Sequence, residues 1–228
     1  MTATSGLSSV RASYDTVAVD YARLLGPELS GRPLDRAMLA AFAEYVRGDR
    51  RGVDRSEGHP RGGGRAVADV GCGPGRVTAH LDGLGVPTFG IDLSPAMVAV
   101  ARRTYPGLRF EVGAMAALDI ADGVLGGVLA WYSTVHTPPA ELPAVFAEFA
   151  RVLAPGGHAL IAFKAGDDRK VRLEHAYGHP VDLDVYWTPP DLIAGLLAGA
   201  GLAEVGRLVR EPGENENCPQ GFLLARKG

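Results

Sequence analysis

Three glycines at alternate positions constrain the fold of this chain more than any other feature. They lie in the run A-V-A-D-V-G-C-G-P-G-R-V, residues 66–77, where an apolar segment, Val67–Val70, leads into Gly71, Gly73 and Gly75. An apolar run that ends in a glycine-rich turn and continues as an amphipathic segment is typical of the first strand, loop and helix of a doubly wound α/β domain. Glycine suits such a loop because it accepts positive φ angles and lets a ligand approach the backbone closely. The run therefore predicts a strand, a ligand-binding loop and a helix, in that order.

An aspartate, Asp92, ends the next apolar run, Thr88–Ile91, about 20 residues beyond the first glycine. An acidic side chain at that distance can bind the two hydroxyls of a ribose, so the unit favours a ligand that contains a nucleoside. A dinucleotide fingerprint needs the spacing G-x-G-x-x-G, whereas this loop has G-x-G-x-G followed by Arg76. A nicotinamide-dependent reductase is therefore disfavoured, although it stays an alternative.

Two segments, Asp69–Gly75 (D-V-G-C-G-P-G) and Gly90–Ser94 (G-I-D-L-S), together resemble the first two motifs of the class I methyltransferases that depend on S-adenosylmethionine (SAM). The resemblance implies an α/β fold: a Rossmann-like, doubly wound, seven-stranded sheet, mostly parallel with its last strand antiparallel, and an N-terminal helical lid. It also implies SAM as the cofactor and S-adenosylhomocysteine (SAH) as its product. The segment Trp131–His136 (W-Y-S-T-V-H) resembles a variant found in actinobacterial small-molecule methyltransferases.

Members of that family bind the methionine part of SAM with the glycine loop and its ribose with the acid after the second strand, and the next residue packs on adenine. By this resemblance the cofactor-binding residues are Tyr14, Tyr21, Asp69, Gly71, Cys72, Gly73, Gly75, Asp92, Leu93, Met97, Ala114, Met115 and Trp131. The acidic residue that often contacts the adenine amine in the family is replaced by Ala114. That contact is left to the backbone or to another residue such as Asp119.

The N-terminal segment has a helical pattern. Ser8 and Ser9 are predicted to cap a helix that runs to about Leu25. One face of this helix carries Val10, Tyr14, Val17, Tyr21 and Leu24 or Leu25. The pattern around Tyr14 and Tyr21 resembles the lid helix of many SAM methyltransferases, whose tyrosines close over the methionine end of SAM. The alternative is that both tyrosines belong to a buried stripe.

The whole chain, residues 1–228, is predicted to form one methyltransferase domain. Its parts are N-terminal helices with the lid (1–47), a flexible loop (48–65), the SAM-binding core (66–164), an acceptor-side insertion (165–188), and a C-terminal helix with a strand pair (189–228). The loop contains six glycines and eight charged residues, so it cannot bury enough apolar surface to offset the entropy of ordering it. A second helix is predicted from Pro33 to about Arg47, with Leu34, Met38, Phe42 and Tyr45 as its apolar side.

Hydrophobic patterning also predicts the strands. They are expected at Val67–Val70, Thr88–Asp92, Leu108–Val112, Val124–Trp131, His158–Phe163, Leu202–Val209 and Gly221–Ala225, with a half-exposed strand at Val181–Trp187. Leu153–Gly157 is predicted to be the turn before the fifth strand. Ligands of open α/β sheets bind beyond the carboxyl ends of the strands, so the segment that follows Trp131 should face the reacting group.

That segment supplies the candidate catalytic residues, His136 and Tyr132. Imidazole titrates near neutral pH, so His136 can act as the general base for an acceptor that must lose a proton, or it can only shape the loop. Tyr132 can also act as the general base, or its ring can only pack against its neighbours. Trp131 and Ser133 are further candidates to contact the reacting group. Of the other histidines, His175 and His179 are placed within reach of the acceptor, His59 and His80 at the surface, and His158 in a structural position at the start of a strand.

Composition narrows the class of acceptor. The net charge of −3 and the pI of about 6.1 give the chain no general attraction for phosphate backbones, so a nucleic-acid acceptor is disfavoured. The two cysteines fit neither a disulfide framework nor a metal site, and no metal is predicted. Because the chain also shows no signal-peptide pattern and no apolar stretch long enough to span a bilayer, a cytoplasmic protein without a membrane partner is expected.

These observations predict a bacterial enzyme that transfers the methyl group of SAM to an oxygen or nitrogen nucleophile of a small molecule, such as a natural product or a peptide. The protein is expected to act as a monomer or a homodimer. The alternatives are a SAM-binding protein without methyl transfer, a nucleic-acid methyltransferase and an NAD(P)-dependent reductase.

Overall fold

A seven-stranded sheet organises the chain. The computed structural model describes residues 3–26, 28–48 and 65–228. The sheet consists of β1 (Val67–Val70), β2 (Thr88–Asp92), β3 (Phe110–Val112), β4 (Leu125–Trp131), β5 (Leu153–Lys164), β8 (Leu202–Arg210) and β9 (Gln220–Lys227). Its order is β3-β2-β1-β4-β5-β9-β8, and only β9 runs antiparallel to its neighbours. The predicted α/β fold with a mostly parallel sheet is therefore confirmed.

Helices cover both faces of the sheet. They are α1 (Ala3–Leu25), α2 (Pro33–Gly48), α3 (Arg76–Gly83), α4 (Pro95–Thr104), α5 (Leu142–Val152) and α6 (Pro190–Gly199). Successive strand residues point to opposite faces. Thus Ile161 and Phe163 of β5 pack with the α5 and α6 side, whereas Leu160 and Ala162 pack with the α2 and α3 side. Within the described ranges, no helix is both long and apolar enough to cross a membrane.

Helix α1 packs on α4 and on an insertion strand rather than on the sheet. Val17 and Ala18 are buried in a cluster with Met97 and Leu183. The helix begins at Ala3, so the predicted cap at Ser8 and Ser9 is wrong. Ser9 lies inside the helix, and its hydroxyl donates to the carbonyl oxygen of Asp182 at 2.6 Å.

The insertion after β5 is a β-hairpin, formed by β6 (Arg169–Ala176) and β7 (His179–Trp187). Strand β7 was predicted, but β6 was not. Its sequence R-K-V-R-L-E-H-A is mostly polar, and only Val171 and Leu173 mark a half-buried face between exposed Lys170, Arg172 and Glu174. This short alternation was missed, and the strand is completed by its pairing with β7. A second boundary also differs, because β5 begins at Leu153 and includes the residues predicted to form a turn.

The apolar side predicted for α2 is wrong at two of its four positions. Leu34 and Tyr45 are 46% and 45% exposed, and Asp35 is buried instead. Its carboxylate accepts from Arg210 of β8 at 2.8 Å, and the side chains of this pair are only 7% and 10% exposed. Arg210 also binds Glu216. An ion pair thus occupies a place on the buried face that the pattern assigned to an apolar residue. The predicted loop 48–65 lies outside the described residues, except for its two end residues.

We expect Asp35→Ala to lower the free energy of unfolding by about 1–4 kcal/mol, because it removes one carboxylate from a buried arginine that keeps the other. Urea denaturation, followed by the tryptophan fluorescence, measures the change. Asp191→Ala is the matched control, because Asp191 pairs with Arg207 but is 91% exposed; it should change the free energy by about 0.5 kcal/mol or less. Equal losses in both variants would contradict a structural role for the buried pair.

Candidate functional site

The glycine loop is held against β2 and β4 at very short range. The backbone N–H groups of Gly71 and Cys72 both donate to the carbonyl oxygen of Ile91, at 2.7 and 3.0 Å. Gly71 has a φ of 76°, and a Cβ atom there would collide with the side chain of Ser133. Gly75 has a φ of 83°, and a Cβ there would lie 2.7 Å from the ring of Phe110. Both positions therefore require glycine for conformation and for space.

Asp92 joins the glycine loop to the segment that follows β2. One carboxylate oxygen accepts from the N–H of Gly73 at 2.7 Å, and the other accepts from the N–H of Ser94 at 2.8 Å. Burial raises the pKa of Asp92, and the two N–H donors oppose that rise. The carboxylate is thus oriented by the backbone at the carboxyl end of the sheet.

A small cavity of about 20 Å³ lies between this loop, β4 and α1. It is lined by Tyr21, Asp69, Gly71, Cys72, Gly73, Pro74, Arg76, Val77 and Trp131. Six of these residues were predicted to bind the cofactor, and the structure brings them together. Pro74, Arg76 and Val77 were not predicted as site residues, although their place beside the glycines was a signal for them. A volume of this size holds about one water molecule.

Asp69 presents an unpaired oxygen to this region. Its side chain is 1% exposed, and one oxygen accepts from the hydroxyl of Thr78 at 2.6 Å. The other oxygen, Oδ1, is buried and has no hydrogen-bond partner in the described part of the chain. Burial raises the pKa of Asp69 from 3.8 to about 7, against the opposing hydrogen bond from Thr78. Near neutral pH this residue therefore exists in both the neutral and the charged form.

His136 and Tyr14 form a hydrogen-bonded pair across the site. The tyrosine hydroxyl lies 2.7 Å from Nε2 of His136, and Nδ1 lies 2.7 Å from the carbonyl oxygen of Asp184 in β7. A carbonyl can only accept, so Nδ1 carries the proton and Nε2 accepts from the tyrosine. Burial lowers the pKa of His136 and raises that of Tyr14, so both are neutral at neutral pH. The ring of Tyr14 also packs edge-on against Tyr21, with centroids 6.0 Å apart.

Tyr132 and Ser133 follow β4 directly. Tyr132 has a φ of 56°, which is uncommon for a bulky residue, and its ring packs against Trp131 and Phe222. The hydroxyl oxygens of Tyr132 and Ser133 are both buried without a hydrogen-bond partner among residues 3–26, 28–48 and 65–228. Burial raises the pKa of Tyr132, so its hydroxyl keeps its proton and can donate.

The other predicted cofactor residues are not among those that line the cavity. Met97 is 1% exposed and packs beneath α1. Met115 is half-buried, and its sulfur accepts from the hydroxyl of Thr137 at 3.8 Å. Leu93 and Ala114 are half-buried after β2 and β3, and Asp119 is exposed. The adenine contact stays a prediction.

Within the described ranges, the two histidines of the hairpin make no hydrogen bond to Tyr14 or His136. Nε2 of His179 lies 2.8 Å from a carboxylate oxygen of Asp20, which joins the hairpin to α1. This contact and that of Arg23 hold the pKa of Asp20 below its usual value. His175 is exposed.

The remaining histidines are His80, His158 and His59. His80 was predicted to lie at the surface, which is wrong for its ring: Nε2 is buried and has no hydrogen-bond partner in the described ranges. Burial accordingly lowers the pKa of His80. His158 is 3% exposed and lies beside the ring of Tyr45, consistent with a structural place. His59 lies outside the described residues. In the ranges that are described, no group of three or more His, Cys, Asp or Glu side chains could hold a metal ion.

Comparison with known proteins gives the site a context. Residues 67–157 match a family described as a methyltransferase domain. A demethylmenaquinone methyltransferase of Chlorobaculum parvum is 31% identical over 159 residues, which are 69% of this chain and 61% of that protein. The chain thus spans about three-fifths of the length of this curated relative.

Solved structures share the fold. Magnesium protoporphyrin IX methyltransferase of Synechocystis PCC 6803, with bound SAM, matches with a TM-score of 0.68 at 16% identity, over 98% of this chain and 97% of that one. A 1,6-didemethyltoxoflavin-N1-methyltransferase of Burkholderia thailandensis, with bound substrate and SAH, matches with a TM-score of 0.61 at 20% identity, over 94% and 90% of the two chains. The match over residues 67–157 and the shared fold support the predicted methyltransferase class and SAM as its cofactor. The likeness to actinobacterial enzymes stays a prediction.

We expect Asp69→Asn to stabilise the protein, and more so at higher pH. A raised pKa means that the protonated carboxyl favours the folded state; this stabilisation is complete below pH 3.8 and is lost by about pH 7. The loss amounts to at most about 1.4 kcal/mol per pH unit, and asparagine, which stays neutral, avoids it. Urea denaturation at about pH 4 and about pH 8 measures it. Asp82→Asn, at an exposed position of α3, should show no such growth with pH. An advantage of Asp69→Asn that did not grow with pH would contradict the raised pKa.

Proposed function

Because residues 67–157 are a methyltransferase domain on the fold of the class I, SAM-dependent enzymes, we propose that the protein transfers the methyl group of SAM to an oxygen or nitrogen nucleophile of a small molecule. The observation that carries this proposal is the pair formed by Tyr14 and His136 at 2.7 Å, beside the glycine loop and Asp92. The neutral imidazole of the pair can accept a proton. The backbone of the glycine loop and the carboxylate of Asp92 can bind a nucleoside.

The residues of the cavity fit SAM chemically. The buried, unpaired Oδ1 of Asp69 is an acceptor for the ammonium group of the methionine part. The carboxylate of Asp92 is oriented to bind the ribose hydroxyls, and glycines at positions 71 and 73 allow close approach of the backbone. Arg76, which lines the cavity, is the cation nearest in sequence to the loop and suits the methionine carboxylate.

Bound SAM supplies an electrophilic methyl group on a sulfonium, and the sulfur keeps the bonding electron pair when the methyl leaves. The residues of the chain contribute alignment, which can be worth about 7–11 kcal/mol of the barrier. Trp131 lines the cavity on the side of β4, and Tyr21 lines it on the side of α1. Their rings are proposed to shield the reacting atoms from water.

Tyr14 and His136 move the proton that the acceptor must lose. In the proposed step the acceptor gives its proton to the oxygen of Tyr14, whose own proton passes to Nε2 of His136. The imidazolium that results keeps its Nδ1–H on the carbonyl oxygen of Asp184, which stabilises the charge. The two residues therefore act as one unit. Tyr132 and Ser133, whose hydroxyls are buried and unpaired among the described residues, are proposed to bind the acceptor.

A small-molecule acceptor is supported by the similar proteins. Demethylmenaquinone, magnesium protoporphyrin IX and 1,6-didemethyltoxoflavin, for which those proteins are named, are all small molecules. The net charge of −3 supports the same choice over a nucleic acid. A cytoplasmic monomer or homodimer remains our proposal for the state in which the protein works.

We expect Asp92→Ala to weaken SAH binding about 10- to 100-fold, because a charged hydrogen-bond acceptor for the ribose is lost. Isothermal titration calorimetry with SAM, SAH and NADH measures it, and a thermal melt shows whether the variant is folded. Asp167→Ala, which removes an exposed carboxylate from the hairpin side, is the control and should bind SAH normally. Failure of the folded wild type to bind SAM and SAH would overturn the proposed function.

We expect Tyr14→Phe and His136→Asn each to lower kcat about 10²- to 10⁴-fold, with SAH affinity nearly unchanged. The double variant should lose about as much as either single variant, because the pair acts as a unit. In the wild type, kcat/KM should fall only below the ordinary histidine pKa of about 6.5, and this acid limb should vanish in His136→Asn.

Methyl transfer from SAM to a panel of phenols and amines, read as SAH release, measures these rates. His175→Asn, an exposed histidine of β6, is the control. Additive losses in the double variant would contradict a shared proton path. SAM binding without methyl transfer to any acceptor would instead indicate a SAM-binding protein.

A further inference from the structure

A row of polar residues crosses three neighbouring strands at the end of the sheet where the parallel strands have their carboxyl ends. In the strand register, Lys164 of β5 pairs with Gln220 of β9, which pairs with Arg210 of β8. Two residues further into the strands, Trp131 pairs with Ala162 and Ala162 with Phe222. Since side chains alternate between faces, Lys164 lies on the face of Trp131, one step closer to the edge.

Lys164 differs from its neighbours in this row because its side chain has no polar partner among the described residues. Arg210 binds Asp35 and Glu216, and Nε2 of Gln220 donates to the carbonyl oxygen of Cys218 at 2.7 Å. Lys164 makes no side-chain hydrogen bond or ion pair within the described ranges, although it is half-buried. A cation in such a place is costly unless an anion or acceptors satisfy it.

The other lysines of the chain are paired. Only three are present in the sequence: Lys164, Lys170 and Lys227. Lys170 binds Asp184 at 2.7 Å, and Lys227 donates to two carbonyl oxygens at the end of α5, at 2.6 and 2.7 Å. The unpaired state of Lys164 is therefore a feature of its position and not of lysine in this fold.

Two side chains that feel the charge of Lys164, His136 and Cys218, are neutral. His136 lies close enough for the ammonium charge to add to the lowering of its pKa, which burial mainly causes. Cys218 is 2% exposed, and burial raises the pKa of its thiol above the usual value despite the lysine. Both neighbours are thus neutral and do not pair with the ammonium group, so it is available to an anionic ligand.

The sheet order places Lys164 on the acceptor side of the cavity. From the glycine loop at the end of β1, the next strands are β4, which ends at Trp131, and β5, which ends at Lys164. Two strand spacings are about 10 Å, the length of a small aromatic molecule. An acceptor whose nucleophile meets Tyr14 and His136 can therefore lie along Trp131 with its far end at Lys164.

We propose that the methyl acceptor is a small, flat acid, and that its carboxylate or phosphate group binds Lys164. This inference rests on the proposed function, and it adds the charge and size of the acceptor. Lys164 serves here to hold the substrate, not to take part in the transfer of the proton.

The three lysines can be observed one by one in the protein after reductive methylation with ¹³C-formaldehyde, which keeps their charge. Spectra of Lys164→Arg, Lys170→Arg and Lys227→Arg assign the signals. Benzoate, phenyl phosphate and benzamide are then titrated into the protein, with and without saturating SAH. We expect the Lys164 signal to shift and saturate with benzoate or phenyl phosphate but not with benzamide, while the Lys170 signal stays in place. The more effective anion identifies the class of acidic group.

A Lys164 signal that neither anion moves, or that benzamide moves equally, would overturn the inference. The titration without SAH keeps this result separate from the proposed function, which fails if calorimetry shows no SAH binding.

Turnover gives an independent reading. In a panel of hydroxybenzoates and the matching hydroxybenzamides, we expect the wild type to prefer the acids, and Lys164→Met to lower kcat/KM for the acids about tenfold or more. Lys164→Arg should retain most of the preference, and Lys170→Met is the control for loss of a charge elsewhere. Preference for the amides in the wild type would contradict an acidic acceptor.

Discussion

The carboxylate of Asp92 is the contact on which the arrangement of the site depends. It binds the N–H of Gly73 on one side and that of Ser94 on the other, so the glycine loop and the start of α4 are fixed to the same two oxygens. Ser94 in turn caps α4 and donates to Asp15 of α1 at 2.6 Å. One half-buried acid thereby sets the relative positions of the loop, the helix that follows β2, and α1.

Helix α1, the proposed lid, is held by polar contacts at several points along its length. Ser9 and Ser13 bind the backbone of β7, Asp15 binds the first turn of α4, and Asp20 binds His179. Tyr14 lies between these anchors and reaches His136. The hydrogen-bonded group at His136 therefore comes from three parts of the chain that are far apart in sequence. The imidazole belongs to the loop after β4, the tyrosine to α1, and the carbonyl to the hairpin.

Local patterns in the sequence were sufficient to predict the sheet, the glycine loop and Asp92, because each depends on residues close together in the chain. They failed where distant residues decide the outcome. The buried Asp35 is paired with Arg210, 175 positions away, and β6, with only two half-buried apolar residues on one face, is completed by pairing with β7. The pairing of Tyr14 with His136 spans 122 positions, and the absence of a partner for Lys164 in the described ranges is visible only once the strands are aligned. Asp69 appears in the motif, but its unpaired oxygen does not.

The cavity of about 20 Å³ has a kinetic consequence. SAM and SAH are many times larger than a water molecule, so binding at the proposed site requires Tyr21 or its surroundings to move. A movement of α1 as a whole would strain the contacts of Ser9, Asp15 and Asp20. The strength of those contacts would then set the lifetime of the bound cofactor. If α1 moved slowly, release of SAH, rather than methyl transfer, would be the rate-limiting step of the proposed reaction.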